Sequence, residues 1–285
     1  MGSIPITRST FPQGLDLAMP SGQRRAMTTY GFIGTGAITD AIVRGLKTSP
    51  LADRPILLSP RSQSVSAALA ADLEGITVAT DNQAVIDGAD VLILAVLPQH
   101  AGEILRPLTF PAGKPIISLI AATPIQTIAH WTRRDATDIC RAIPLPSTET
   151  RTCATPVYPP RAEAMKLFEA LGQALAVEDA ASFDTYGAAS ALMAPYFAFA
   201  QAAADWLSAN GLPQDDAQTY VRTLFANLGA TLRDRTDPIT DLRKAHQTTG
   251  GLNELAGLTF DEGGPQALGA ALDAALARVQ GRQAG

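Results

Sequence analysis

Residues 34–39 read Gly-Thr-Gly-Ala-Ile-Thr and carry the strongest chemical signal in the chain. They follow a short apolar run at 29–33 and open an apolar-periodic stretch at 37–46. Two glycines in a strand-to-helix turn have separate tasks: Gly34 makes the tight bend, and Gly36 lets the backbone approach a bound group closely. The free N–H groups that follow, around Thr35, Ala37 and Ile38, then face that group, and the helix dipole favours negative charge there. The chemistry implied is the holding of a pyrophosphate, as in dinucleotide-binding folds. An ordinary glycine turn is the bland alternative, and the strand before and helix after argue against it. The third small position of the fingerprint is occupied by Thr39, a departure expected to loosen helix–strand packing slightly.

A second signal lies at 58–62, Leu-Ser-Pro-Arg-Ser. Proteins that bind NAD usually place an acid at the end of the second strand, to bond a ribose hydroxyl. No acid is present here. Instead Arg61 lies between the hydroxyls of Ser59 and Ser62, and a guanidinium suits a 2′-phosphate because it bonds through two parallel N–H groups. This points to NADP. The competing reading is a surface loop that caps the next helix through Ser62 or Ser64. Two further loops follow strong strand signals: Ala95-Val96-Leu97-Pro98 and Ala121-Ala122. Ligands of doubly wound sheets bind at the carboxyl ends of strands, so both loops are expected along the cofactor. Pro144-Leu145-Pro146 is expected to shape the nicotinamide side.

The elements that must position these residues are legible as alternating strand and helix patterns. Strands are predicted at 29–33, 56–58, 76–79, 91–96, 115–120 and 138–142, with helices at 37–46, 64–73 and 82–86 between the first four. Such alternation predicts a parallel sheet covered on both faces. Near Val177 the pattern changes, and from Ala180 onward alanine-rich helical stretches dominate, at 182–210, 215–233, 238–246 and 265–279. The expected fold class is α/β, an N-terminal Rossmann doubly wound sheet followed by an all-α C-terminal dimerisation domain. The expected division is a mobile tail at 1–26, a dinucleotide-binding domain at 27–179 and a helical dimerisation and substrate domain at 180–285.

Composition narrows the function classes. Of 285 residues, 46% are hydrophobic and 17% charged, which excludes an intrinsically disordered chain. A formal net charge of -5 offers no general attraction to nucleic acid or anionic lipid. Cys140 and Cys153 make neither a disulfide framework nor a metal-ligand spacing, so reduced thiols in a cytoplasmic protein are expected. The first 26 residues lack the continuous apolar core of a signal peptide. The uncharged stretch 185–204 is long enough to raise the question of a membrane span. It is largely alanine with Pro195 in its middle, so a helix covered by another subunit is the better reading. The partners expected are a small-molecule substrate and a second copy of the chain, in a homodimer or higher homo-oligomer, with neither nucleic acid nor membrane.

The run Gly-Phe-Ile-Gly-Thr-Gly at 31–36, the Ser-Pro-Arg-Ser loop, Ala-Val-Leu-Pro-Gln at 95–99, Arg-Ala-Ile-Pro at 141–144 and Thr249-Gly250-Gly251, expected within a late helix, occur in this order. Together with the helical second half, they make the chain resemble the pyrroline-5-carboxylate reductase family over roughly 27–279. The resemblance implies reduction of a cyclic imine with NADPH, in proline biosynthesis, by dimers built through C-terminal helices. It also implies site residues at 248–253, with Thr248, Gly250 and Gly251 toward the substrate and Thr249 and Asn253 beside the reacting imine. Departures cluster there: Leu97 stands where the family has lysine, Leu145 where it has asparagine, and Ser190 to Tyr196 replace a glycine-rich run. Asn253 stands at the family threonine, where an amide oxygen still accepts a hydrogen bond from an iminium N–H. His246 is a candidate proton donor or carboxylate partner, set against a plain helix-face histidine.

Two alternatives follow from those departures. One is an NADP-dependent oxidoreductase of the same architecture with another substrate. A β-hydroxyacid dehydrogenase wants a lysine on the first long helix of the second domain, and none lies between 182 and 210. The other is a non-catalytic NADP-binding protein whose site has decayed.

Overall fold

A computed structural model describes residues 27–281. The expected tail at 1–26 lies outside the described residues, as do 282–285. The sheet region runs through β1 (Tyr30–Ile33), α1 (Ala37–Lys47), β2 (Ile56–Leu58), α2 (Gln63–Asp72), β3 (Ile76–Val78), α3 (Asn82–Gly88) and β4 (Val91–Leu94). It continues with α4 (Pro98–Leu105), β5 (Ile116–Ser118), α5 (Ile125–Thr132), β6 (Ile139–Ala142), β7 (Cys153–Tyr158), α6 (Ala162–Glu169) and β8 (Gly172–Ala176). Helices follow: α7 (Ala180–Ala189), α8 (Met193–Ala209), α9 (Gln214–Asp234), α10 (Ile239–Ala245), α11 (Leu252–Asp261) and α12 (Gly264–Val279).

The eight strands form one sheet in the order β3-β2-β1-β4-β5-β6-β7-β8. Strands β1 to β6 are parallel, with Tyr30 in register with Ile56 on one side and Val91 on the other. The central strands are apolar throughout because both faces are covered; all four residues of β4 are buried. The chain winds outward in both directions from β1 and β4, which opens a crevice at their carboxyl ends. The sheet is not wholly parallel as expected: β7 runs antiparallel to β6, and β8 parallel to β7. The turn through 143–152 sends the chain directly back along β6, which no helical crossover prevents.

Two apolar layers hold this sheet. On one face Phe32, Ile42, Leu46, Leu58, Leu167 and Phe168 pack together under α1 and α6. On the other, Ile33, Ile86, Leu92, Leu94 and Ile128 pack under α3 and α5. Each such side chain contributes about 1.5–3 kcal/mol by leaving water. Helix α1 shows the pattern most clearly, burying Ala41, Ile42, Val43 and Leu46 while Asp40 and Arg44 pair on its outer face at 3.1 Å.

Three helical expectations change. The single helix predicted at 182–210 is broken, with a 3-10 turn at Ser190–Leu192 between α7 and α8. Pro195 explains the break: its ring clashes with the carbonyl four residues earlier and it donates no N–H, so it belongs in a first helical turn. Residues Thr249, Gly250 and Gly251 lie in no helix but in the turn between α10 and α11. Helix α10 ends at Ala245 with His246 as its cap, Gly250 turns the chain beyond it with φ +74°, and Gly251 then caps α11. Helix α11 itself, like α4 to α6 and strands β7 and β8, has no counterpart among the predicted elements. No helix among the described residues is long and apolar enough to cross a membrane.

Candidate active site

The β1–α1 turn lies at the carboxyl edge of the sheet and is tied to the loop after β2. The Gly34 N–H donates to Ser59 Oγ at 2.9 Å, and Thr35 Oγ1 donates to the Ser59 carbonyl at 2.9 Å. Ser59 and Thr35 are both buried, so these bonds fix one loop against the other away from water. Gly34 has φ +100°, and a Cβ there would stand 2.4 Å from the Ala95 carbonyl oxygen. No other residue fits so close to the β4 loop. At Gly36, by contrast, an added Cβ meets nothing within 4 Å. The backbone at the head of α1 therefore faces open space, with no side-chain cap on its N–H groups. That is the cradle a pyrophosphate needs, and residues 34–38 fit a dinucleotide.

Thr39 does not loosen the packing as expected. It is fully buried, and its hydroxyl donates to the Gly34 carbonyl at 2.7 Å. A small polar side chain thus pins the glycine turn to the helix that follows it.

The remaining candidates are placed as follows. Arg61 and Ser62 lie between β2 and α2, with Arg61 exposed and Ser62 at the N-cap of α2 making no side-chain cap bond. Arg61 forms one wall of a 430 Å³ groove whose lining also includes the carboxylates of Asp81 and Glu103 and the apolar side chains of Ile104, Pro107 and Leu108. Ala95 and Val96 leave β4 beside Gly34; Leu97 is 61% exposed at the N-cap of α4, and Pro98 is its first residue. Ala121 and Ala122 are exposed after β5, Ala122 with φ +49°.

The second group is together but elsewhere. Thr248, Thr249 and Gly250 are exposed in the α10–α11 turn, and Asn253 is exposed in the first turn of α11. The turn is closed by Gly251 N–H donating to the Thr248 carbonyl and Gly250 N–H to Glu254 Oε2 at 2.7 Å. His246 caps α10, with Nδ1 2.7 Å from the Leu242 carbonyl. A carbonyl only accepts, so Nδ1 carries the proton and Nε2 is the ring nitrogen left for other work. Helices α10 and α11 make no extensive contact with any strand. Within one chain the two halves of the candidate site are separate.

Sequence reasoning gave Arg141 no role of its own. It lies in β6, is 8% exposed, pairs with Asp184 of α7 at 3.4 Å and stacks over the Phe183 ring at 4.5 Å. Burial pulls its pKa below the usual arginine range, with Asp184 opposing that shift. A guanidinium in this setting pins α7 to the sheet. The signal that marks it is an arginine inside a buried strand. Both thiols are free and buried, and burial pushes the Cys140 thiol up to about 12.

An open doubly wound sheet, a glycine cradle at its switch point and a following helical half define a nicotinamide-dinucleotide-dependent oxidoreductase with an appended helical unit. Comparison with known proteins agrees. A family model for NADP oxidoreductase, coenzyme F420-dependent, matches residues 29–122, and one for pyrroline-5-carboxylate reductase dimerisation matches 181–282. The chain is 29% identical over 251 residues to pyrroline-5-carboxylate reductase of Pseudomonas aeruginosa, covering 83% of this chain and 90% of that one. It is 27% identical over 263 residues to the Vibrio alginolyticus enzyme of the same name, covering 87% and 95%. The solved pyrroline-5-carboxylate reductase of Coxiella burnetii shares the fold, with a TM-score of 0.77 at 22% identity over 91% of this chain and 99% of that one. The chain is thus similar to pyrroline-5-carboxylate reductases over most of its length, and its helical half matches their dimerisation model.

Proposed function

We propose that this protein reduces a cyclic imine with NADPH, pyrroline-5-carboxylate to proline or a closely related imino acid. The reading is carried by two relatives of that name that match most of the chain, one over 90% of its own length and the other over 95%. The cofactor assignment rests on chemistry at the β2 loop. The Arg61 guanidinium takes a 2′-phosphate with Ser62 next to it in the loop, the buried Ser59 holds the Gly34 turn in place, and Ile104, Pro107 and Leu108 offer an apolar wall to the base. Residues 34–38 hold the diphosphate, and Ala95 to Pro98 with Ala121 and Ala122 line the path toward the nicotinamide.

A bound reduced nicotinamide supplies a hydride to the imine carbon. An iminium arrives already protonated, so the protein has chiefly to orient it and exclude water. In this reading Thr248 and the backbone at Gly250 and Gly251 receive the substrate, while Thr249 and the Asn253 amide hold the iminium N–H. His246 is the remaining candidate proton donor or carboxylate partner, through Nε2, which donates only when the ring carries a second proton. Because these residues do not meet the cofactor edge within one chain, the turn of a second copy completes the site. A homodimer through the helical half, with the division falling at 179/180, follows from this. A cytoplasmic location and the supply of proline for biosynthesis belong to the same reading.

A second reading is favoured by one observation. Leu97 projects into solvent at the N-cap of α4, where the family carries a lysine. An apolar group at that position suits an imine with a different substituent better than it suits an added charge. Purified protein, NADPH and a panel of cyclic imines separate the two by loss of reduced-nicotinamide absorbance. Turnover of the five-membered imino acid is expected. Turnover of other imines alone supports the second reading, and tight NADPH binding with no turnover of any imine overturns both.

A further inference from the structure

The parallel strands have a second edge, at their amino ends, which the cofactor leaves unused. A cavity of 310 Å³ opens there, lined among others by Thr28, Tyr30, Arg54, Glu163 and Lys166. Tyr30 opens β1 and is 2% exposed, its ring packed in the core layer beneath α1 and α6. Its phenol makes no hydrogen bond among the described residues. The ring is buried while its hydroxyl opens into the cavity, where it is available to a bound group.

Three charges surround it. Arg54 comes from the loop before β2, and Glu163 and Lys166 come from α6. None of the three makes an ion pair or side-chain hydrogen bond among the described residues. The first turn of α6 adds N–H groups with no side-chain cap. Burial pushes the Tyr30 phenol up, Arg54 pulls it down and Glu163 pushes it up, so both charges act on the same oxygen.

We propose that this cavity binds a small zwitterion of the α-amino acid class, its carboxylate held by Arg54, Lys166 and the Tyr30 hydroxyl and its ammonium by Glu163. A phosphate leaves Glu163 facing an anion, and a simple amine leaves Arg54 and Lys166 facing a cation. A molecule carrying both signs satisfies all three charges and the phenol at once. The site lies at the opposite end of the strands from Gly34 and Arg61. Its occupancy does not depend on the proposed reaction, although the product of that reaction belongs to the same chemical class.

Calorimetric titration of the full chain, with and without NADPH, tests this using L-proline, glycine, acetate, methylammonium and inorganic phosphate. Saturable heat is expected from the amino acids, with the three singly functional ions binding at least about tenfold more weakly. Tyr30→Phe and Arg54→Met each weaken the amino acids by about tenfold. Glu163→Gln weakens them too while strengthening phosphate, and all three variants keep the parent affinity for NADPH. Should Tyr30→Phe misfold, the other two variants carry the same comparison. Amino-acid heat unchanged in the variants, no heat at all, or phosphate binding as tightly as glycine overturns the proposal. Failure of imine turnover leaves these titrations untouched, so the two readings fail separately.

Discussion

In the proposed reading Arg61 acts on cofactor preference through its charge alone. It is exposed at the edge of a groove and makes no ion pair among the described residues, although Asp81 and Glu103 line the same groove, so its guanidinium is the cation there that an incoming phosphate meets. Replacing it with aspartate turns attraction into repulsion at one ligand atom group while leaving the glycine cradle intact. Arg61→Asp is expected to raise the Kd for NADPH about 100-fold, roughly 2.7 kcal/mol, and to change NADH binding by less than a few-fold. Fluorescence titration with each cofactor reads both numbers. Equal losses for the two would show that the 2′-phosphate site is elsewhere.

At the scale of elements, the β1–α1 unit works because each end of it is held by a different neighbour. Ser59 grips the turn from the β2 side, Ala95 presses on it from the β4 side, and Thr39 fastens it to α1 from within. Thr39→Val keeps nearly the same shape and removes only the hydroxyl. It is expected to lower stability by about 1–2 kcal/mol in urea unfolding and to weaken NADPH modestly, since the freed Gly34 carbonyl loses its buried donor. Stability equal to the parent would show that the bond contributes nothing. The α10–α11 turn is organised otherwise, by its own backbone and Glu254, and so is set before anything docks on it.

At the scale of the molecule, the helical half is not finished within one chain. Phe197 is 67% exposed on α8 and Leu252 is 85% exposed on α11, with Tyr196, Phe199, Trp206, Leu255 and Leu258 also open to solvent. An apolar surface of this extent marks an interface in a water-soluble protein. The match to a dimerisation model over the same residues supports a second copy of the chain as its cover. In sedimentation the parent is expected to run as a dimer or larger at micromolar concentration. Phe197→Glu, which places a charge in that surface, is expected to run as a single chain and to melt at lower temperature. A variant that sediments like its parent would move the interface off α8.

What the sequence determined by itself is whatever depends on local chemistry. The glycine turn between a strand and a helix and the apolar run 91–96 are each written within a few residues, because backbone freedom and hydrophobic period are local properties. What only the tertiary structure decided depends on residues far apart. That β7 turns back along β6, and that Ser59 grips the glycine turn from twenty-five positions away, are outcomes of packing. So is the pairing of Arg141 with Asp184, forty-three positions apart. So too is the gathering of Tyr30, Arg54 and Glu163 at one sheet edge, since no sequence period brings together a strand start, a loop and a distant helix.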